Sequence, residues 1–448
     1  MPSRLMALGL VLCSATPLGF AIPYGFLSTQ SPGNAPGQDR EEGSISFEEK
    51  CLTVLPQELR FKGEIPIVRF TPDGRSAACV GTAGTEEQLV VVGANRGDGY
   101  DKVWPLIYSP EVHEFAYAAE MADGACLVVG GKKSEKVDQI SWVDRDPGGR
   151  SVVYSARKGQ KWFVVSGNKR GEEFDEIGLD RARVGNHLVY TGKINGKWVV
   201  VVGDKKGEEF DSVECLTTDP EDTIVSYAAS SEGRSFIVLD GKKIPQLERT
   251  RSIVLGPQGK SLAYTTQKDG KAFVVFQTAK GEDFDEVSQI TLNAEGTAVA
   301  YAARKGSKWF AVVGDRRSEA FAIVIYPTFP PDGKTLSYIA ADEVTRQFFI
   351  VLGDKRGEEV PFIMLSTIQA EPSWSSMHRR LRLTLSPDGK AAAYVSVEPG
   401  GKWRLIAGTS KSEPFDLVSE AFFSPDGRKV AFGALKGREL WWKVIEVK

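Results

Sequence analysis

Apolar residues in this chain fall in short runs of five to seven, broken by tight turns, and the runs come in groups of four. Residues 141–177 show one group. SWVDRD leads to a turn at Pro147-Gly148-Gly149, and SVVYSA leads to a turn at Lys158-Gly159-Gln160. KWFVVSG and the tight turn NKRG follow, then EEFDEI. Runs of this length, rich in Val, Phe, Tyr and Trp and bounded by glycine or charge, predict strands joined by hairpins. No stretch long enough to make a helix carries a helical period, so the chain reads as all-β. In the third run Trp162 and Val164 point one way and Phe163 and Val165 the other, so both faces of the sheet must be covered. The fourth run sets Phe174 among Glu172, Glu173, Asp175 and Glu176, a charged edge that resists pairing with another molecule. Four antiparallel strands, buried inside and charged at the rim, make a propeller blade.

The group repeats with a period of about 37. Gly74, Gly149, Gly259, Gly296, Gly333, Gly389 and Gly427 mark the turn after the first strand. Five positions later stands a tyrosine: Tyr117, Tyr154, Tyr190, Tyr227, Tyr264, Tyr301, Tyr338 and Tyr394, with Cys79 and Phe432 in that place at the two ends. Ten units begin near residues 67, 106, 141, 180, 216, 253, 291, 327, 381 and 419. A fixed period of this size means modules that bury their faces against neighbours. The expectation is one β-propeller of about ten four-stranded blades; two five-bladed propellers are the alternative, though no linker separates units five and six. The tenth unit offers three strands, EAFFSP, KVAFGA and ELWWKVIEV. Its fourth must come from elsewhere, and the segment between Ser44 and Pro66 can supply it. The propeller is therefore expected over residues 45–448, closed by an N-terminal strand.

SPDGK at 386–390 followed by AAYV, and SPDGR at 424–428 followed by VAFG, resemble the propeller repeat of the TolB family. They are also similar to the propeller domains of the prolyl oligopeptidase and dipeptidyl peptidase families, with a WD-like blade. The resemblance covers roughly residues 67–447 and implies the fold, because those families share the blade and differ in activity. Neither the α/β domain that precedes the TolB blades nor a hydrolase domain accompanies the repeats here, and there is no Gly-x-Ser-x-Gly elbow.

Charge and termini narrow the setting. A net charge of −3 gives no whole-molecule field for nucleic acid, so no nucleic-acid partner is expected. Arg4, the apolar run from Leu5 to Cys13 and small residues at Ala15 and Ala21 read as a signal peptide over residues 1–21. Residues 22–44, rich in Pro, Gly, Ser and charge, read as a flexible linker. The protein is then periplasmic or extracellular, with no membrane span once the signal is removed; a cytoplasmic location is the alternative. His113, His187 and His378 lie far apart, and no cysteine pair has ligand spacing, so neither metal nor cofactor is expected. Cys79 and Cys126 sit in apolar strand patterns and read as free buried thiols, while the pairing of the cysteines stays open.

Most conspicuous residues have structural readings. The Asp of each Pro-Asp-Gly turn supplies an Asx-type turn. The run VDRDPGG, with Asp144 and Asp146, lacks the further ligands of a calcium loop. The repeated tyrosine and the third-strand Trp162, Trp198, Phe273, Trp309 and Trp403 read as packing between blades. Two features stand apart. The turns between second and third strands carry Lys158 and Lys161, Lys193 and Lys197, Lys268 and Lys271, Arg304, Lys305 and Lys308, then Lys402, Lys436 and Arg438. Alternating connections put these turns on one face of the disc, which would make that face basic. The second feature is an insertion: the interval from Gly357 to Pro387 is more than twice the matching interval from Gly207 to Pro220. Its segment STIQAEPSWSSMHRR holds Trp374, His378, Arg379 and Arg380, and alternation places it on the same face. The reading is a non-catalytic, exported binding scaffold that recognises a protein or an anionic polymer. Its contacts would be Trp374, His378, Arg379 and Arg380 with Lys161, Lys197, Lys271 and Lys308. The alternative is a hydrolase or lyase with its site in the central channel. First strands such as IVRFTP, SIVLGP, ITLNAE and AFFSP bring few ionisable groups there.

Overall fold

A computed structural model describes residues 45–448, apart from 62–65, 85, 110–112, 146–150, 247–249, 331–332, 334, 362 and 365–383. It contains ten antiparallel sheets of four or five strands, nine of them built from successive strands. Blade 3 is typical: Gln139–Arg145, Val152–Lys158, Lys161–Ser166 and Lys169–Arg170 pair in that order. At most seams the first strands of successive blades lie side by side, and the first strand of blade 10, Leu417–Phe423, returns against that of blade 1, Ile67–Phe70. The sheets therefore form one ten-bladed ring and not two five-bladed ones. The only helical turn among the described residues is Pro257–Gly259.

Blade 10 takes its outer strand from the start of the described chain. Lys50–Val54 pairs antiparallel with Glu439–Glu446, and the Leu55 N–H donates to the Arg438 carbonyl at 2.7 Å. The Trp442 indole N–H donates to the Ser46 carbonyl at 2.8 Å. The Thr53 hydroxyl donates to the Gly93 carbonyl of blade 1 at 3.0 Å. Gly74, at φ 65°, packs against the Trp442 ring, so the first Pro-Asp-Gly turn leans on the clasp.

The core lies between blades. Phe174 of blade 3 is buried and meets Tyr190 of blade 4 edge-on, with centroids 6.0 Å apart. Phe210–Tyr227 and Phe284–Tyr301 repeat that geometry at 5.9 and 6.1 Å. The recurring tyrosine is thus the ring that seats each blade on the outer strand of the one before. Burial pushes the Tyr190, Tyr227 and Tyr301 phenols up to about 12. The turn aspartates behave as expected: Asp73, Asp388 and Asp426 accept the N–H two positions on, at 3.0–3.1 Å.

Two boundaries differ from the sequence reading. In blade 3 the outer strand is only Lys169–Arg170 plus one bridge from Phe174 to Trp162, and Glu176 already belongs to blade 4. The predicted run EEFDEI therefore straddles two blades. Its Phe closes one blade and its following acid opens the next.

The insertion is also placed differently. Blade 9 begins its first strand at Ile363–Met364, against Ser396 and Val395, and resumes it at Thr384–Leu385, against Ala393 and Ala392. Blade 7 has a bulge between Ser288 and Thr291 at the same place in the register, as blades 5 and 8 do at 214–217 and 325–328. The two halves of this first strand thus flank the residues outside the described ones, at the register position where blades 5, 7 and 8 carry their bulge. The insertion does not extend the connection between blades, as alternation of turns had implied.

Candidate functional site

The lysine turns lie where the strand order puts them, at hairpins opening on one face. Lys161, Lys197, Lys271 and Lys308 each begin a third strand and Lys402 stands just before one, and in most of these blades the chain returns past the outer strand with a carboxylate. Lys161 pairs with Asp175 at 2.6 Å and Lys271 with Asp285 at 2.6 Å; Lys197 pairs with Asp211 and Lys402 with Asp416. The other oxygen of each carboxylate accepts a backbone N–H from the next blade's hairpin. Asp175 takes Asn195 at 2.8 Å, Asp211 takes Glu232 at 2.8 Å, Asp285 takes Gly306 at 2.6 Å and Asp416 takes Gly437 at 2.6 Å. One side chain thus neutralises a lysine of its own turn and latches the following blade.

These bonds set the local charge. The lysine hydrogen bond, then the backbone N–H, holds the Asp175, Asp211 and Asp285 carboxyls below their ordinary range. Burial opposes the same shift at Asp416, where Lys402 and the Gly437 N–H still prevail. Lys308 is the exception: Ala322 occupies the acid position, and the lysine reaches Glu343 of blade 8 at 3.5 Å instead. The face is accordingly one of paired charges. The basic surface expected from the lysines alone is met by carboxylates that the outer strands carry back to the same turns.

Beside these pairs the aromatics divide. Phe273 and Trp403 are buried as expected of packing residues. Trp162, Trp198 and Trp309 are only half-buried, each beneath a cation from the neighbouring second strand. Arg157 lies 5.9 Å from the Trp162 ring, Lys193 5.5 Å from Trp198 and Arg304 6.0 Å from Trp309. Trp162 and Trp198 occupy consecutive blades, 3 and 4, at the feet of their hairpins. Trp374, His378, Arg379 and Arg380 fall outside the described residues.

The channel wall joins blades through polar side chains of the first strands. Arg181, nearly buried, binds Asp144 of blade 3 at 2.9 Å and stacks 4.9 Å from the Trp142 ring. Arg69 donates to the Leu106 carbonyl at 3.0 Å, Cys215 to the Arg251 carbonyl at 3.2 Å, and Gln289 accepts from the Tyr326 N–H at 2.7 Å. Cys215, Gln289 and Tyr326 occupy equivalent bulges with φ of 61°, 51° and 54°, a strained conformation held by these cross-blade bonds. Asp144, the nearest thing to a calcium ligand in the sequence, is thus an inter-blade partner for Arg181. Among the described residues Cys51, Cys79 and Cys126 are free thiols, and burial pushes that of Cys79 up to about 12. No group of three or more metal-ligating side chains occurs among those residues. No helix among them is long and apolar enough to cross a membrane.

No protein-family model and no curated protein matches the chain. Solved structures do. A eukaryotic initiation factor is similar at 12% identity over 81% of this chain and 91% of its own, with a TM-score of 0.42. The Dos1 propeller is similar at 11% identity over 77% and 92%, with a TM-score of 0.33. The Cps50 (Swd1) β-propeller domain of Myceliophteria thermophila is similar at 14% identity over 57% and 96%, with a TM-score of 0.28. At such scores they add nothing to the ten-bladed ring that the strand pairing establishes.

Proposed function

We propose that this protein is a non-catalytic, exported scaffold of TolB-like kind that binds a protein partner on the face bearing the second-to-third-strand hairpins. The observation that carries this reading is the pair of half-buried tryptophans on neighbouring blades, Trp162 and Trp198, each under a cation. Tryptophan and arginine are the residue types that anchor protein interfaces. A groove for an anionic polymer would offer unpaired cations along its length. Here Lys161, Lys197 and Lys271 each have a carboxylate at hand, which favours the protein partner. In this reading Trp374, His378, Arg379 and Arg380 add contacts from the insertion, whose ends lie at the channel wall. Polar groups of the first strands hold neighbouring blades together, which supports a structural duty for the channel.

Affinity capture from envelope extract tests the proposal, comparing the parent protein, Trp162→Ala/Trp198→Ala and a deletion of 366–380. The double variant should lose the partner at unchanged thermal midpoint. Retention by that variant removes the hairpin face from the interface, and retention by the deletion removes the insertion. Turnover in a hydrolase screen, abolished by changes at the channel wall, would establish the enzymatic alternative instead. N-terminal sequencing of the mature protein tests export, with cleavage expected after Ala21.

A further inference from the structure

We propose, on the protein-binding reading of this face, that the segment recognised through Trp162 and Trp198 is proline-rich and in the polyproline II conformation. Prolines three residues apart would then meet consecutive blades.

The two tryptophans hold equivalent positions. Each stands second in its third strand, opposite a second-strand cation and an outer phenylalanine: Arg157 and Phe174 for Trp162, Lys193 and Phe210 for Trp198. The same row carries Ala125 in blade 2 and Ser235 in blade 5, so the aromatic pair ends sharply on both sides. Trp309 of blade 7 has Ala272 and Phe348 beside it in blades 6 and 8. Among the described residues, only blades 3 and 4 set two half-buried tryptophans side by side in this row.

Spacing selects the ligand. Successive blades are sheets packed face to face, and packed sheets lie about 10 Å apart. Polyproline II turns once in about three residues and rises about 3.1 Å per residue, so prolines three apart project from one side about 9 Å from each other. One such step matches one blade. An extended strand repeats its facing side chains at about 7 Å, which falls short. A helix reaches the spacing through residues about seven apart, but its carbonyls are bonded internally.

Hydrogen bonding favours free carbonyls. The indole N–H groups of Trp104, Trp441 and Trp442 are used inside the fold, on Glu120, on Glu439 and on the Ser46 carbonyl. Those of Trp162 and Trp198 have no acceptor among the described residues. Polyproline II leaves its carbonyls open and proline brings no competing N–H, so such a segment supplies acceptors to these donors. Charge gives no preference for an acidic partner. Lys158 is met by Glu135 and Lys193 by Glu176 at 3.6 Å, beside the pairs that Lys161 and Lys197 make with aspartates. Aromatic-lined surfaces take proline-rich segments because that conformation is already formed and little entropy is lost on docking.

Fluorescence anisotropy of a blocked, labelled peptide of repeated Pro-Pro-Ala, titrated with the full chain, tests this. Binding should weaken about tenfold in Trp162→Phe and in Trp198→Phe, which keep a ring and lose the N–H donor, and should be unchanged in Trp309→Phe. A blocked peptide of repeated Pro-Ala-Ala-Ala, whose prolines never fall three apart, should bind the parent protein about tenfold more weakly or worse. No binding of the Pro-Pro-Ala peptide by the parent protein overturns the proposal. So does equal binding of the two peptides, or undiminished binding by a folded Trp162→Phe/Trp198→Phe variant. If the Pro-Pro-Ala peptide fails while Trp162→Ala/Trp198→Ala still loses its partner in affinity capture, the face remains a protein interface and the proline-rich ligand is excluded. If capture is also unaffected, both fall.

Discussion

Asp175 illustrates how much one side chain does in this ring. Its two oxygens hold Lys161 of its own blade and the Asn195 N–H of the next, and Asp211 and Asp285 repeat the arrangement. Because their folded pKa values are depressed, the stability they lend is fully present above the unfolded value of about 3.9 and is lost as pH falls through the lower folded value. Thermal midpoints should therefore be level through the neutral range and fall below about pH 4. In Asp175→Asn/Asp211→Asn/Asp285→Asn the neutral midpoint should drop and the acid decline should flatten. An acid limb identical in parent and variant would show that the latches contribute nothing. At this scale the sequence displayed the lysines and hid their partners. A carboxylate so far along the chain is invisible as a partner until the outer strand is known to fold back to the turn it left. The recurrence of Lys at one position and Asp at a fixed distance after it, at 161/175, 197/211, 271/285 and 402/416, was the available signal.

Between elements, the Phe174–Tyr190 contact is the unit of assembly. Truncating Phe174, which is 1% exposed, leaves a cavity at the seam of blades 3 and 4. Phe174→Ala should cost about 3–5 kcal/mol in chemical denaturation. A double-mutant cycle with Tyr190→Ala should return a coupling of about 0.5–1.5 kcal/mol, the range for edge-on aromatic pairs. Coupling near zero would mean that the rings merely fill space. Second and third strands and their hairpins were legible because apolar alternation and glycine turns fix them locally. The outer strand was misplaced because EEFDEI serves two blades, and only tertiary pairing divides it after Phe174. The insertion was misassigned for a related reason: a bulge inside a strand and a longer loop between strands look alike in spacing. The half-exposure of Trp162 and Trp198 was equally out of reach, since it depends on how far the next blade overlaps the hairpin foot.

For the whole molecule the decisive feature is that a ring of like blades must be closed between its two unlike ends. Lys50–Val54 does this by completing blade 10, while Thr53 and Gly74 couple that strand to blade 1. Removing residues 1–56 would leave Glu439–Glu446 as an unpaired edge and strip the Trp442 indole of its acceptor at Ser46. Long exposed edges pair with other chains. The truncated protein should thus melt at a lower temperature and associate in a concentration-dependent way, as read by sedimentation and thermal scanning. A peptide spanning 45–56, added in trans, should reverse both effects. At a free concentration 100 times its Kd it would restore about 2.7 kcal/mol. Recovery that depends on the intact register distinguishes closure from general solubilisation. Thr53 aligns with Leu440 across a bulge, so a peptide whose order is scrambled must leave the truncated ring monomer-poor and unstable. If the scrambled peptide rescues equally, or if the truncation melts and sediments like the full chain, the first strand is an ornament on blade 10 and the ring closes through its first strands alone.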